Sequence, residues 1–325
     1  MSIEDIIKGL EPDLEEIKKN LEAAVLDYTE DNDVRRMLLE AAGNTGKMIR
    51  PLFMLLAAGE YEREDRQELI ASAVGLEMVH TSSLILDDMI DASPLRRGCP
   101  SIWAEYGMAP ALYAGDYLLV SGFCYLQDKG YFKSAGELMR AGLGLCNGEI
   151  LQYGNLHNTE VDIKTYIRAV KGKTALLFRT AGAMACRITG KDEESCRCMA
   201  EFGEILGIMF QIRDDLHDWT KETPEIGKPI NEDFKEGIYT LPALYTFGIS
   251  RRGEELKKLA LKDRLGADDL KSARDIVKEA GGIEYTENYL EELAEKAVGI
   301  SDVLPDSVNK AGLTGLVRLV TGDGK

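Results

Sequence analysis

The chain has 325 residues, of which 45% are hydrophobic and 29% charged, and its formal net charge is −17. Such acidity excludes nucleic acid and anionic membrane as general partners, since both would repel it, but it allows a small anion wherever basic residues gather. The six cysteines form no CxxC pair and there are only three histidines, which argues against a zinc site and for a reduced, cytoplasmic chain.

The opening MSIEDIIKGLEPDLEEIKKN is acidic and amphipathic, unlike a signal or transit peptide, and is placed at the periphery. GKMIRP follows, with Lys47 and Arg50 before Pro51. A long helix is predicted over ELIASAVGLEMVHTSSLILDD, residues 68–88, where Leu69, Ala73, Leu76, Val79 and Leu86 recur on one face. It runs into Asp87, Asp88 and Asp91, and RRG, with Arg96 and Arg97, comes next. Helices are also predicted over MAPALYAGDYLLVSGFCYL, IKTYIRAVKGKTALLFRTAGAMA, CMAEFGEILGIMFQIRDDLHDW and IEYTENYLEELAEKAVGI. Residues 251–280 are more charged and are placed outside. Pro51, Pro94, Pro100, Pro110 and Pro229 fall at helix starts or in loops. Strand-like alternation is scarce, and no uncharged apolar run reaches about 18 residues, so no transmembrane segment is predicted. The expected fold is all-α, with ten or more helices in a single domain over 1–325.

The aspartates carry the chemistry. Asp87, Asp88 and Asp91 have the spacing i, i+1, i+4, and Asp214, Asp215 and Asp218 in FQIRDDLHDW repeat it. On a helix each trio lies within one arc of about 100°. Carboxylates this close raise one another's pKa unless a cation neutralises them. One trio could be a solvated helix end. Two of them, each closing a long apolar run, point to Mg²⁺, which prefers carboxylate oxygen and shares its shell with phosphate and water. Together they would make a receptor for one polyphosphate group. Lys47, Arg50, Arg96, Arg97, Lys173 in GKT and Lys228 in GKP are short, mostly Gly-flanked basic elements in an acidic chain, and so are candidate anion contacts.

These motifs resemble those of the trans-isoprenyl diphosphate synthase (polyprenyl synthetase) family. GKMIRP, EMVHTSSLILDDMIDASPLRRG, AGDYLL, GEILQY, GKTALLF, FQIRDDLHD, GKP and TLP stand in that family's order over residues 43–245. The resemblance implies an isoprenoid-synthase helical bundle with a central apolar cavity, usually a homodimer. It also implies head-to-tail condensation of isopentenyl diphosphate with an allylic diphosphate, dependent on Mg²⁺. By position it makes Asp87, Asp91, Asp214 and Asp218 metal ligands, with Asp88 and Asp215 in support. Arg96, Lys173 and Lys228 would contact the allylic diphosphate. Lys47, Arg50, His80 and Arg97 would hold isopentenyl diphosphate, and Thr174 and Gln211 would line the reacting end. His217 and His157 are assigned no chemistry, and Tyr153 and Phe178 are expected in the core or a pocket wall.

Four positions depart from the family pattern. Met48 and Ile238 replace basic residues, Cys99 replaces a lysine, and Leu86 stands where histidine is frequent. The loss at 238 bears most directly on the allylic diphosphate. Short-chain members place aromatic rings four or five residues before the first aspartate. Here those positions are Ser83 and Ser82, with Val79 a turn deeper, so a product of at least twenty carbons is expected. A terpene cyclase and a head-to-head synthase are disfavoured by the second aspartate trio and the isopentenyl diphosphate motifs. A non-catalytic subunit of a heteromeric synthase is the remaining alternative.

Overall fold

A computed structural model describes residues 3–43, 46–220, 231–248, 250–304 and 309–322. They are almost entirely helical. The strands among them are Leu95–Arg96 and Cys99–Pro100, paired antiparallel around the RRG turn. The helices are α1 (Ile3–Ala24), α2 (Asn32–Gly43), α3 (Ile49–Ala58), α4 (Arg63–Ile90), α5 (Ile102–Tyr106), α6 (Met108–Asp128), α7 (Phe132–Tyr153) and α8 (Ile163–Val170). After a π-helical turn at Lys171–Ala175 come α9 (Leu176–Ile188), α10 (Glu193–Thr220), α11 (Glu232–Lys235) and α12 (Leu241–Phe247). The last four are α13 (Ser250–Ala260), α14 (Ala267–Glu279), α15 (Gly282–Val303) and α16 (Lys310–Thr321). The sequence supplies several of their starts. Asp31 accepts from the amides of Asp33 and Val34, Asp162 from that of Thr165, and Asp192 from that of Ser195, the capping that orphan N–H groups at a helix start require.

Two compact units are formed. The first comprises Met1–Leu143, Leu177–Gly203 and Ser301–Leu316. Its axis is α4, whose Leu69, Ala73, Val74, Leu76, Met78 and Val79 are buried. By length and apolarity α4 could cross a membrane, yet 78% of its apolar window is buried within the protein, as in a core helix. The α4–α6 packing is close because glycines meet there. A Cβ on Gly122 would lie 3.1 Å from the Gly75 carbonyl oxygen, and one on Gly115 2.8 Å from Leu86. Helix α1 lies at the edge, as its charge suggests, but buries Ile17 and Leu21 completely. Arg66 of α4 holds it through Asp13 and Glu16. A cluster of Phe53, Phe178 and Phe202 closes this core, with ring centroids 5.8–6.1 Å apart.

The second unit comprises Gly144–Leu176, Glu204–Ile300 and Val317–Lys325. Its core runs through Trp219, Phe234, Tyr239 and Phe247, whose successive centroids are 5.1–5.6 Å apart. The indole N–H of Trp219 donates to the Thr240 hydroxyl, which satisfies a polar group that burial would otherwise penalise. Here α7 touches the π turn backbone to backbone. A Cβ on Gly148 would meet Lys173 N and would lie 2.7 Å from Gly172 C, so only glycine fits.

Candidate active site

In the first unit, α4 carries the first aspartate trio on its last turn, and the three side chains do not share one environment. Asp91, the C-cap, is exposed and Asp87 is half-buried, whereas Asp88 is buried. Both Asp88 oxygens are taken by Arg96, through Nε and Nη2 at 2.6 Å each, a bidentate pair. The sequence placed all three in one patch. The structure turns the middle one inward, because its 100° offset on the helix brings it beneath the RRG hairpin. Asp88 and Arg96 line an open cavity of about 350 Å³ whose walls include Thr81, Leu84, Ile85 and Ile102.

About two turns before Asp87 on α4, His80 meets the GKMIRP segment. The Arg50 guanidinium lies 2.9 Å from His80 Nε2 and 4.8 Å from the Phe178 ring centroid, where its charge faces the aromatic π-cloud. Burial, then the charges of Arg50, Arg97 and Arg96, lower the His80 pKa, so the imidazole is neutral. Gly46, with φ +63°, lies against the Arg97 guanidinium, and Lys47 beside it is exposed. Met48 is buried in the left-handed region, φ 47°, at the N-cap of α3. It serves the turn that aims Lys47 and Arg50. Sequence reasoning passed over Glu77. It is 2% exposed, and burial pushes its carboxyl up to about 7 while Arg50 and Arg97 pull it down. Its signal was available, because Glu77 is the one charged residue between Leu69 and Leu86. Of the chain-length candidates, Val79 and Ser82 are buried, and half-buried Ser83 donates its hydroxyl to the His80 carbonyl. Cys99 is exposed in the hairpin.

In the second unit, α10 carries the second trio with the same division. Asp214 is exposed, Asp218 is half-buried, and Asp215 is buried. Both Asp215 oxygens are satisfied. The Tyr166 hydroxyl donates to Oδ2, and Gln211 Nε2 donates to Oδ1 at 2.8 Å. Burial pushes Asp215 up to about 6, against the pull of those two hydrogen bonds. Gln211 Oε1 in turn accepts from the Thr174 hydroxyl at 2.7 Å. Asp218 accepts from the Glu232 amide at Oδ1, while its Oδ2 is buried without a hydrogen-bond partner. Burial and then the Asp233 carboxylate push Asp218 up to about 7. Lys173, on the π turn, donates to Gln152 at 3.1 Å and lies 3.9 Å from Glu149. Ile238 lies in a small cavity whose walls are part apolar, through Leu151, Val161, Ala169 and Tyr239, and part polar, through Gln152, Asn155, Thr165 and Tyr166. His217 accepts from Arg213, and His157 lies in a loop against Gly237. Phe178 is fully buried as expected, but Tyr153 is 68% exposed, because it falls on the outward face of α7. Lys228 and Pro229 lie outside the described residues.

The residues fit a hard divalent cation. Asp87, Asp91, Asp214 and Asp218 offer carboxylate oxygen, and the buried Oδ2 of Asp218 without a hydrogen-bond partner is the kind of atom a cation satisfies. Among the described residues no three acidic, histidine or cysteine side chains converge on one point.

The family model for Polyprenyl synthetase matches residues 31–277. The octaprenyl diphosphate synthase of Haemophilus influenzae is 31% identical over 98% of this chain and 96% of its own length. Heptaprenyl diphosphate synthase component 2 of Bacillus subtilis is 32% identical over 96% of this chain and 88% of its own. The crystal structure of a polyprenyl synthase from Caulobacter crescentus, complexed with calcium and isoprenyl diphosphate, superposes with a TM-score of 0.90 at 25% identity, covering 100% of this chain and 98% of the other. A decaprenyl diphosphate synthase from Rhodobacter capsulatus gives 0.89 at 26%, covering 99% of each chain. Family model, relatives and fold agree with the motifs, and the chain belongs to the polyprenyl synthetase family.

Proposed function

We propose that this protein is a Mg²⁺-dependent trans-polyprenyl diphosphate synthase that condenses isopentenyl diphosphate head-to-tail with an allylic diphosphate and releases diphosphate. The observation that carries the reading is the matched division of labour in the two trios. In each, the second aspartate is buried and satisfied by hydrogen bonds, and the first and fifth are at least partly open. In that arrangement Asp87, Asp91, Asp214 and Asp218 would hold the metal. Bound Mg²⁺ would supply positive charge to the leaving diphosphate, which is electrostatic stabilisation of charge as it develops. Arg96, held by Asp88, together with Lys173 and Lys228, would contact the allylic diphosphate. Ile238 adds no charge there, so the reading rests on those three cations. Lys47, Arg50, His80 and Arg97 would hold isopentenyl diphosphate. The allylic cation needs a water-poor site, and Thr174 and Gln211 would line it. We assign no protein base to the final proton loss.

Ser82 and Ser83 are too small to floor a chain pocket beside α4, which supports a product of twenty carbons or more, in line with the octaprenyl and heptaprenyl relatives. A second copy of the chain is the proposed partner. Along α7 the exposed residues Met139, Leu143, Cys146, Ile150 and Tyr153 recur at intervals of four, three, four and three, a seam suited to a facing helix. Six free cysteines fit a reducing, cytoplasmic setting. The name "component 2" on the B. subtilis relative favours one further reading, a subunit that works with a different chain.

The test is elongation. Purified protein is given isopentenyl diphosphate, Mg²⁺ and, in turn, five-, ten-, fifteen- and twenty-carbon allylic primers, and products are separated by length. One dominant product of twenty carbons or more is expected. No product from folded protein with any primer would favour the subunit reading.

A further inference from the structure

We propose that Tyr166 and Asp215 are positioning residues that fix the side-chain amide of Gln211, with its oxygen turned to the Thr174 hydroxyl. The inference rests on the reading that Gln211 and Thr174 line the reacting end. Four side chains form one unbranched run. Tyr166 on α8 donates to Asp215 Oδ2, Gln211 Nε2 donates to Asp215 Oδ1 at 2.8 Å, and Thr174 donates to Gln211 Oε1 at 2.7 Å. Tyr166 is 8% exposed, Asp215 5% and Thr174 6%, and Gln211 is half-buried, so water has little access to the Tyr166–Asp215 link with which to rescue it if broken.

The run has a direction set by its charged member. A carboxylate only accepts, so the part of Gln211 facing Asp215 must be its NH₂ group. The amide oxygen is then forced to the other side, where the Thr174 hydroxyl donates to it. Turned by 180°, the amide would set its oxygen against a carboxylate oxygen, which is repulsive, and its NH₂ toward Thr174. Asp215 could still lose this control by rotating about its own Cβ–Cγ bond. Tyr166 prevents that by pinning Oδ2 from a buried, rigid ring. An amide so fixed presents its negative end on the Thr174 side before substrate arrives. A developing allylic cation would meet a dipole already set, with no reorganisation during the reaction. Tyr166 acts through two other side chains, and its effect belongs on the rate of the chemical step, with substrate binding left alone.

A double-mutant cycle tests this, with kcat and KM measured for both diphosphates in the wild type, Tyr166→Phe, Gln211→Ala and the double variant. Tyr166→Phe should lower kcat about tenfold, with both KM values changed less than about twofold, because a preorganised dipole is lost and the anion contacts are kept. In the Gln211→Ala background the same change should cost nothing further, since there is no amide left to orient. Asp215→Asn, nearly isosteric, should give a kcat loss at least as large, and it replaces Tyr166→Phe in the cycle if that variant does not fold. Equal losses in both backgrounds, or a rise in KM without a fall in kcat, would overturn the proposal. An inactive wild type would sink the elongation reading instead. The side-chain ¹⁵N–¹H₂ resonances of Gln211 would then decide on the relay: Tyr166→Phe must speed their hydrogen exchange, and unchanged exchange would refute it.

Discussion

Arg50 and His80 are joined by a hydrogen bond of 2.9 Å between Nη1 and Nε2. Arginine has no acceptor and stays protonated, so His80 Nε2 must accept and the ring proton sits on Nδ1. Burial and the nearby guanidinium groups keep the ring neutral. Two outcomes are expected. His80→Gln, whose amide oxygen can reach the Nε2 position, should keep KM for isopentenyl diphosphate within about threefold, while His80→Ala should raise it about tenfold, the usual effect of leaving a buried donor unmatched. A kcat/KM profile that lost a titration near pH 6.5 on His80→Ala would contradict the neutral-ring assignment.

Glu77 makes stability pH-dependent. Its carboxyl titrates at about 7 in the folded chain against 4.5 when unfolded. Below pH 4.5 both states hold the proton, and the group costs nothing. Between those values the unfolded chain ionises first, so stability falls as pH rises, by a total on the order of 3 kcal/mol. Glu77→Gln should therefore be increasingly more stable than the wild type from pH 4.5 to 7.5, and the gap should level off above that. Thermal melts across this range check it. A constant difference between the two proteins would show that Glu77 does not titrate there.

Gly46 combines a left-handed backbone with contact against Arg97. Alanine at 46 carries roughly 1–2 kcal/mol of conformational cost and displaces the guanidinium. The expected result is a KM for isopentenyl diphosphate raised about tenfold, the loss of one charged hydrogen-bond donor, with kcat nearly kept. A KM that moved for the allylic substrate alone would place Arg97 at the other diphosphate.

Ser83 is half-buried and Ser82 fully so. Phenylalanine at 83 should shorten the product with little change in melting temperature. Phenylalanine at 82 should shorten it too, and also lower the melting temperature, since overpacking costs about 1–3 kcal/mol. Chromatography of the products settles the first point and thermal melts the second. Unchanged lengths in both variants would put the pocket floor on another helix.

Much of this was legible in the sequence. The periodicity located α4, α6, α10 and α15 well, because each helix keeps an apolar face over many turns. The paired aspartate spacing picked out the acidic ends of α4 and α10. What the sequence hid is which carboxylate of each trio turns inward. That depends on the hairpin that brings Arg96 to Asp88, and on α8, which brings Tyr166 to Asp215, 49 residues away in sequence. Tyr166 left no signal, since a tyrosine in an apolar helix looks like any core aromatic. Tyr153 was misplaced for the opposite reason: its face of α7 is apolar but turned outward.

The π turn at Lys171–Ala175 holds one residue more than an α-helical turn would. It is therefore the register mark of this segment. Because the extra residue is taken up within the turn, removing one there, Gly172 for instance, would restore ordinary winding and leave the helix segments on either side nearly in phase. Tyr166, upstream of the turn, would keep its side of the helix, while Lys173 and Thr174, inside the turn, would lose their present heading. A length change elsewhere in a surface loop is absorbed locally. Here a single deleted codon would redirect the two side chains of the turn that face the site, and Gly172, packed against Gly148, would resist substitution as well as deletion.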